Sequence, residues 1–524
     1  MTAARTEMQL TQPLHKALIE RPGVEALVCG PRRTDFAALA DRVARLAAVL
    51  QAQGLQPGDR VGMLGFNSDH YIVFFYAVWW AGGVINPVNM RWSAAEIAYS
   101  LDDCDTKLLL VDEHFHATAA GLRGRSRSLR TLMHWGNGPA PEGFADGPAL
   151  VAQATPVADA RRGDQDLAAV MYTGGTTGRP KGVMLSHANL YSNVLSANLA
   201  AQRPVESVGI NCAPLFHVGG MGLALQLLQR LCRQVVLPAF DELPVLQAIA
   251  SERGTETFLV PTMLKRLVEH PRFTEFDTGC LQLVLYGAAP IDEALLARAQ
   301  QALPAAGFCQ LYGMTELSPV VTALPAWCHA PGQPRERLRS VGRPVAIAEV
   351  RIVDADDRPV PNGTVGEITV RGPLVMQGYW GQPEQTAIAL RGGWMHTGDG
   401  GRMDADGFIH VVDRLKDMIV SGGENVYSAE VENAITRLPQ VSMAAVVGVP
   451  DDQWGERVHA VVVLRPGEAL TAEALVAHCR TLIAGYKCPR SVEFRDALPL
   501  SAAGKVLKVD LRAPFWAGRS RNVN

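Results

Sequence analysis

Apolar residues recur at helical spacing in "TDFAALADRVARLAAVL", where Phe36, Leu39, Val43, Leu46 and Leu50 share one face. The pattern predicts an amphipathic helix that Gly54 ends. "DRVGMLGF" then reads as a short buried strand. The next segment, "YIVFFYAVWWAGGVI" from Tyr71 to Ile85, is apolar on every side. It falls short of the ~20 residues that cross a bilayer. Asn67, Ser68 and Asp69 just before it are good helix caps, so a fully buried helix is predicted. Ser93 and Glu96 form a capping box that opens another helix, and "TKLLLVD" (Thr106 to Asp112) is a further strand. Strand–helix–strand alternation of this kind predicts an α/β fold with a largely parallel sheet.

Between about Gly136 and Asp164 the chain is rich in Gly, Pro, Ala and Asp, which predicts surface loops. The alternation then resumes with "LAAVMY", "QVVLP", "ETFLVP" and "LQLVLYG" as strands. From about Pro344 two runs rich in Val and Ile are separated by Asp and Pro-Asn-Gly turns, the pattern of hairpins. Beyond Arg414, "AEVENAITRLPQV", "MAAVVGVP", "VHAVVVLRP" and "EALVAHCRTLI" predict a helix–strand–strand–helix set of domain size. The expected division is residues 1–414 and residues 415–524.

Composition narrows the class without changing this picture. The 524 residues are 48% apolar and 19% charged, with a net charge of −3 and no long basic run, so a nucleic-acid partner has no electrostatic support. Nine cysteines lie scattered from Cys29 to Cys488 with no CxxC pair, which predicts buried free thiols in a reducing compartment rather than metal ligands. "MTAARTEMQL" lacks the charged-then-apolar pattern of a secretory signal. A soluble cytoplasmic protein is expected, and a homodimer is left open.

The chemistry begins at "MYTGGTTGRPKGVMLSH", Met171 to His187. Glycines free the backbone to aim successive amides at anionic oxygens, threonine hydroxyls add donors, and Lys181 adds a point charge. A P-loop would run Gly-Lys-Ser/Thr from a strand straight into a helix. Here Gly178 is followed by Arg179-Pro180-Lys181, and "GVML" reads as extended, with a helix beginning only at Ser186. The glycines are thus placed between two strands, which excludes a P-loop kinase or ATPase.

This string, "YTGGTTGRPKG", resembles the signature loop of the adenylate-forming enzymes, which include acyl-CoA synthetases, aryl-CoA ligases and peptide-synthetase adenylation domains. The resemblance implies that Thr173, Gly174, Gly175, Thr176, Thr177, Gly178 and Lys181 hold the β- and γ-phosphates of ATP. Gly174 departs from the serine more common there. "PLFHVGGMG" resembles the segment lining the carboxylate pocket, with His217 as a wall near the reacting carboxylate. "YGAAP", with Gly287, Ala288 and Ala289, resembles the strip against which adenine packs. "LYGMTE" is similar to the next signature, which implies that Tyr312 beside Gly313 stacks on the base, Thr315 contacts phosphate and Glu316 binds Mg²⁺. Mg²⁺ takes only one or two protein carboxylates, so a lone glutamate suits it.

The longest match, "WMHTGDGGRMDADGFIHVVDRLKDMI", implies that Asp399 and Arg414 hold the ribose and that Lys416 is the hinge of a mobile C-terminal domain. Gly400 replaces a usual apolar residue. "SGGENVYSAEVE" resembles the acyl-CoA synthetase segment near pantetheine, with Ser421, Gly422 and Gly423 at the CoA face and Ser428 in place of proline. "AGYKCPRSV" adds Tyr486 and Lys487 near the CoA path, and "LPLSAAGKVLKVDLR" makes Lys505 the candidate catalytic lysine. Leu500 and Ser501 stand where Lys-Thr is frequent. The implied fold is a large α/β domain of mostly parallel sheets with a small β-barrel-like region, followed by a small mobile α+β domain.

The implied reaction joins a carboxylate to AMP with loss of pyrophosphate, then transfers the acyl group to a thiol. ATP, Mg²⁺ and CoA are the expected partners, together with a small-molecule acid. "CAPLFHVGG" carries no aspartate for an amino-acid ammonium. The pocket candidates Val218, Gly219, Met221, Val260, Met263, Ala288, Ala289, Met314 and Val320 are small or apolar and offer no ionic partner for a second carboxylate. Gly219 and Gly220 are read as leaving room for a bulky acyl group. A hydrophobic monocarboxylate is expected, a medium- to long-chain fatty acid ahead of a cinnamate or benzoate type. No carrier-protein segment follows Lys505 before Asn524, so free CoA is expected, with a separate acyl carrier protein as the alternative. A non-catalytic nucleotide-binding protein on this scaffold would be expected to have lost Glu316 or Lys505, and both are present.

Overall fold

Both flanks of the buried segment near residue 70 fold as the pattern requires. The helix Asp69–Trp80 starts at Ser68, whose side chain accepts from the Tyr71 amide, and all twelve of its residues are buried. It touches strands of two different sheets, which is why it has no polar face. Its indoles keep their N–H groups satisfied: Trp79 donates to the Ala168 carbonyl and Trp80 to that of Val157. The amphipathic helix Phe36–Ala52 is capped by Asp35, and the Ser93–Glu96 capping box opens the helix Ala94–Asp103. The computed structural model describes residues 8–173, 180–289, 291, 293–414, 417–421, 424–500 and 506–517.

Among the described residues the strands form four sheets. One has nine strands, with a parallel centre running from Gly307–Gly313 through Leu283–Gly287, Glu256–Leu259, Val208–Asn211 and Arg233–Val236 to Glu25–Cys29. Antiparallel strands close both of its edges. A second, eight-stranded sheet has Leu167–Thr173, Val84–Pro87, Arg60–Leu64, Leu108–Val111 and Thr131–His134 in parallel. At its other side Leu167–Thr173 pairs antiparallel with Lys181–Ser186, and Ser186 caps the helix His187–Ala200. The stretch 174–179 therefore joins two neighbouring antiparallel strands, as the sequence required. The Gly/Pro-rich region near 136–164 is mostly irregular, with one short helix, Gly147–Gln153.

The Val- and Ile-rich runs form the hairpin Glu349–Val353 and Gly366–Arg371, part of a four-stranded antiparallel sheet completed by Met395–Met403 and Ile409–Arg414. The final sheet is built on the long pair Val441–Asp451 and Gly455–Leu464, packed by the helices Ser428–Ile435 and Ala472–Arg480. All nine cysteines are free and buried, in keeping with small apolar packing residues. Among the described residues no helix is long and apolar enough to cross a membrane.

Candidate functional site

The parallel strands Leu283–Gly287 and Gly307–Gly313 end side by side, and open α/β sheets place ligands beyond such carboxyl ends. Gly313 is forced by packing: a Cβ there would lie 1.7 Å from the Pro319 carbonyl oxygen. Ala288, just past the end of the strand Leu283–Gly287, adopts φ +64°, a left-handed backbone that costs a non-glycine residue energy. Ala288 and Ala289 are half-buried there.

Tyr312 donates its hydroxyl to Asp399 Oδ2 at 2.7 Å, while Asp399 Oδ1 takes Arg414 Nε at 2.7 Å. Asp399 and Arg414 are direct cross-strand partners, and Arg414 also donates to the Thr397 carbonyl. Three residues spaced across some hundred positions thus meet in one hydrogen-bonded trio. Burial, then the Asp399 charge, pushes the Tyr312 hydroxyl well above its ordinary range. Tyr312 remains a donor at any ordinary pH.

Glu316 lies in the short turn Thr315–Leu317, and both Thr315 and Glu316 are buried. Its Oε1 accepts the Tyr379 hydroxyl at 3.0 Å. Burial raises the Glu316 carboxyl, against the pull of Tyr379, Arg414 and Lys181. Lys181, paired in register with Thr173, holds its ammonium 4.9 Å from the Tyr379 ring centre and donates to Gln385 Oε1. The signature lysine and the signature glutamate therefore share one aromatic neighbour. Sequence reasoning missed Tyr379 and Gln385; the available signal was "GYWGQPEQ", a glycine-flanked aromatic pair followed by polar residues. A buried carboxylate held by neutral donors suits one Mg²⁺ whose other ligands are phosphate and water, and the nearby Lys181 and Arg414 suit those phosphates rather than the metal. Gly174, Gly175, Thr176, Thr177 and Gly178 lie outside the described residues, as do Lys416, Gly422, Gly423 and Lys505.

His217 is the N-cap of the helix Val218–Gln229, its Nδ1 accepting from the Gly219 amide at 3.3 Å. The pocket candidates divide into two groups. Val260, Met263, Ala288 and Val320 gather in one apolar cluster with Phe258, Leu285 and Leu223. Val218 and Met221 are packed into the main core instead, and Met314 lies against that core. The reading of Gly220 as acyl room is corrected by its packing, whereas Gly219 faces a ring of the apolar cluster. A Cβ at Gly220 would sit 2.3 Å from the Pro214 carbonyl oxygen, and one at Gly219 would sit 3.1 Å from the Phe258 ring. Gly220 lets the helix pack against its own preceding turn. Gly220→Ala is accordingly expected to lower stability by about 1–3 kcal/mol, with no change in which acids are used; denaturant unfolding and an acid panel check the two halves.

On the carboxyl-terminal side, Ser421 is buried in the strand Ile419–Ser421. Tyr486 is exposed, and Lys487 is held by both oxygens of Glu430 at 2.8 Å. Asp413, next to Arg414, accepts from the Ser428 amide and hydroxyl, and Lys508 donates to Ser428 Oγ and pairs with Glu432. Serine in place of proline now has a physical reason. Proline has no N–H to give Asp413.

A double-sheet α/β body with a Tyr–Asp–Arg trio and a buried glutamate at its strand ends, followed by a small α+β unit, is the architecture of an adenylate-forming enzyme. The chain belongs to that family: residues 14–380 match the AMP-binding enzyme family and residues 430–505 match the AMP-binding enzyme C-terminal domain. It is 41% identical over 505 residues to a feruloyl-CoA synthase from an Amycolatopsis species, covering 96% of this chain and 98% of that one. It is 34% identical over 519 residues to a fatty acid–[acyl-carrier-protein] ligase from Streptomyces coeruleorubidus, covering 96% of each. Among solved structures, ATP-bound MatB from Rhodopseudomonas palustris superposes with a TM-score of 0.88 at 32% identity, covering 97% of this chain and 99% of that one.

Proposed function

We propose that this protein is an AMP-forming acid–CoA ligase acting on a hydrophobic monocarboxylic acid. The observation that carries the reading is the meeting of Tyr312, Asp399 and Arg414 next to Glu316, Tyr379 and Lys181. Asp399 can accept both ribose hydroxyls once Tyr312 turns its ring to the base, and Arg414 keeps Asp399 aimed. Lys181 and the 173–181 loop would hold the pyrophosphate end of ATP. Glu316 and the phosphates would hold Mg²⁺, which supplies charge neutralisation at the phosphates when bound.

In the first half-reaction a carboxylate oxygen forms a bond to the α-phosphorus and the bond to pyrophosphate breaks. The chain's task is positioning and charge stabilisation. Lys505 would bridge the carboxylate and α-phosphate oxygens, with His217 at the wall of the carboxylate pocket and Thr315 on phosphate. In the second, a thiol sulfur bonds to the acyl carbon and AMP leaves. We assign residues 1–414 and 415–524 to two units that turn about Lys416 between the halves, which brings the Ser421–Gly423 face, Tyr486 and Lys487 to the thiol. Lys487 would first leave Glu430.

The acid is aryl or fatty. The 41% identity to a feruloyl-CoA synthase supports a cinnamate-type acid over the fatty acid favoured by residue size alone. The carrier-protein ligase relative supports a second reading in which a separate acyl carrier protein supplies the thiol. AMP release measured on a panel of aryl and alkyl acids, with CoA, with a carrier protein and with neither, separates them. Strong AMP release dependent on CoA is expected, and release indifferent to any thiol would sink the ligase reading.

A further inference from the structure

The wall of the apolar cluster is not apolar along its whole length. On the strand Glu256–Leu259 and its continuation, side chains alternate between faces, so Glu256, Phe258 and Val260 share one face. Phe258 and Val260 belong to the cluster that holds the acyl-pocket candidates, together with Leu283, Leu285 and Cys309 from the next two strands. Glu256 pairs in register with Leu283, and Phe258 with Leu285. Glu256 therefore lies on that same wall, four residues and about 13 Å of extended chain from Val260.

Glu256 is fully buried and is gripped by two guanidiniums, those of Arg203 and Arg230. Arg230 is hydrogen-bonded throughout: to Glu256, the Gln226 and Pro204 carbonyls, and Ser207 Oγ. Arg203 is different. Its side chain is 3% exposed, yet Nε and Nη2 have no hydrogen-bond partner among the described residues. It follows directly on the helix His187–Ala200, whose end packs in the cluster through Ala197 and Ala201, and its charge reaches the buried Cys309 thiol. Two cations on one carboxylate leave a buried excess of one positive charge. Burying two unsatisfied guanidinium donors is costly unless an acceptor meets them.

We infer that Arg203 is the distal specificity residue of the acid pocket and that it recognises an oxygen acceptor at the far end of the acid. The acid would present its carboxylate at the strand ends near His217 and lay its apolar skeleton along Val260, Phe258 and Leu285. Its remote phenolic, hydroxyl or keto oxygen would then meet Arg203 Nε and Nη2. The inference rests on the acid–CoA ligase reading and adds a cation beyond the small and apolar pocket candidates.

The test is a matched-pair comparison on the full-length protein: para-hydroxycinnamate against cinnamate, and a medium-chain ω-hydroxyalkanoate against its alkanoate. A hydrogen bond to a charged donor in a dry site predicts a preference for the oxygen-bearing acid of roughly 10- to 100-fold in kcat/KM. Arg203→Met leaves Glu256 balanced by Arg230, and the preference should fall to near one. Isothermal titration of each acid in the presence of a non-hydrolysable ATP analogue reads the same discrimination without turnover. Parity between the paired acids in the wild type overturns the inference, as does an Arg203→Met effect equal on both members of a pair. AMP from no acid at all, with the binding preference intact, would count against the ligase reading and leave the Arg203 assignment standing.

Discussion

Replacing Glu316 with glutamine should lower the rate of acyl-adenylate formation roughly 100- to 1,000-fold, as loss of one preorganised charge-stabilising group does elsewhere. Glutamine has the same shape, and its amide oxygen can still accept the Tyr379 hydroxyl that now reaches Glu316 Oε1. What it loses is the negative charge. A hard divalent cation held by a single protein carboxylate has no substitute for it among the neighbours, because Lys181 and Arg414 carry the wrong sign. The variant should thus need far more Mg²⁺ for half-maximal rate while its unfolding transition stays in place. Tyr379→Phe is the control, since it removes the hydroxyl that orients the carboxylate and leaves the charge; its loss should be much smaller. An unchanged Mg²⁺ requirement in Glu316→Gln would remove the metal role from this residue.

Glu316 also shows where a sequence can be read and where it stops. Signals that are local in the chain came through: the caps at Ser68 and Ser93, the all-round apolar helix after residue 69, and the strand pair around 174–179. Each depends on a few neighbouring residues whose backbone preferences agree. Asp399 and Arg414 were legible as a pair because one long matching string holds both, and the antiparallel register then sets them opposite. Tyr379 and Gln385 left only the fainter trace of "GYWGQPEQ". Tyr379 reaches Lys181 because the short strand Gly378–Tyr379 pairs antiparallel with Lys181–Ser186 at the edge of the same sheet, nearly two hundred residues away in the chain, and Gln385 follows it.

Gly220 was misread for the same reason. An open space for a ligand and a carbonyl 2.3 Å from a missing Cβ give the same letter in a sequence. Arg203 and Glu256, far apart in the chain, carry no motif that marks them, and only folding brings them together as a buried ion pair.

Lys505→Ala should separate the two half-reactions. Formation of acyl-AMP from acid and Mg·ATP is expected to fall roughly 100- to 1,000-fold, because the charge developing between carboxylate and α-phosphate loses its one mobile cation. Consumption of supplied acyl-AMP with CoA should stay near wild type, since AMP departs from an anhydride already made and the proposed rotation would withdraw the lysine. The substitution is a clean one to make. Leu500 bridges to Val506, and Leu507 donates its amide to the Pro499 carbonyl, so the described residues on either side are held to each other by backbone. The helix Lys508–Trp516 that follows is fixed by Leu511, fully buried, and by the Lys508–Glu432 pair. None of these anchors uses the Lys505 side chain. A drop in both half-reactions would therefore mean that Lys505 acts in thioester formation as well, and would argue against rotation about Lys416. Pyrophosphate exchange equal to wild type would instead remove Lys505 from the chemistry.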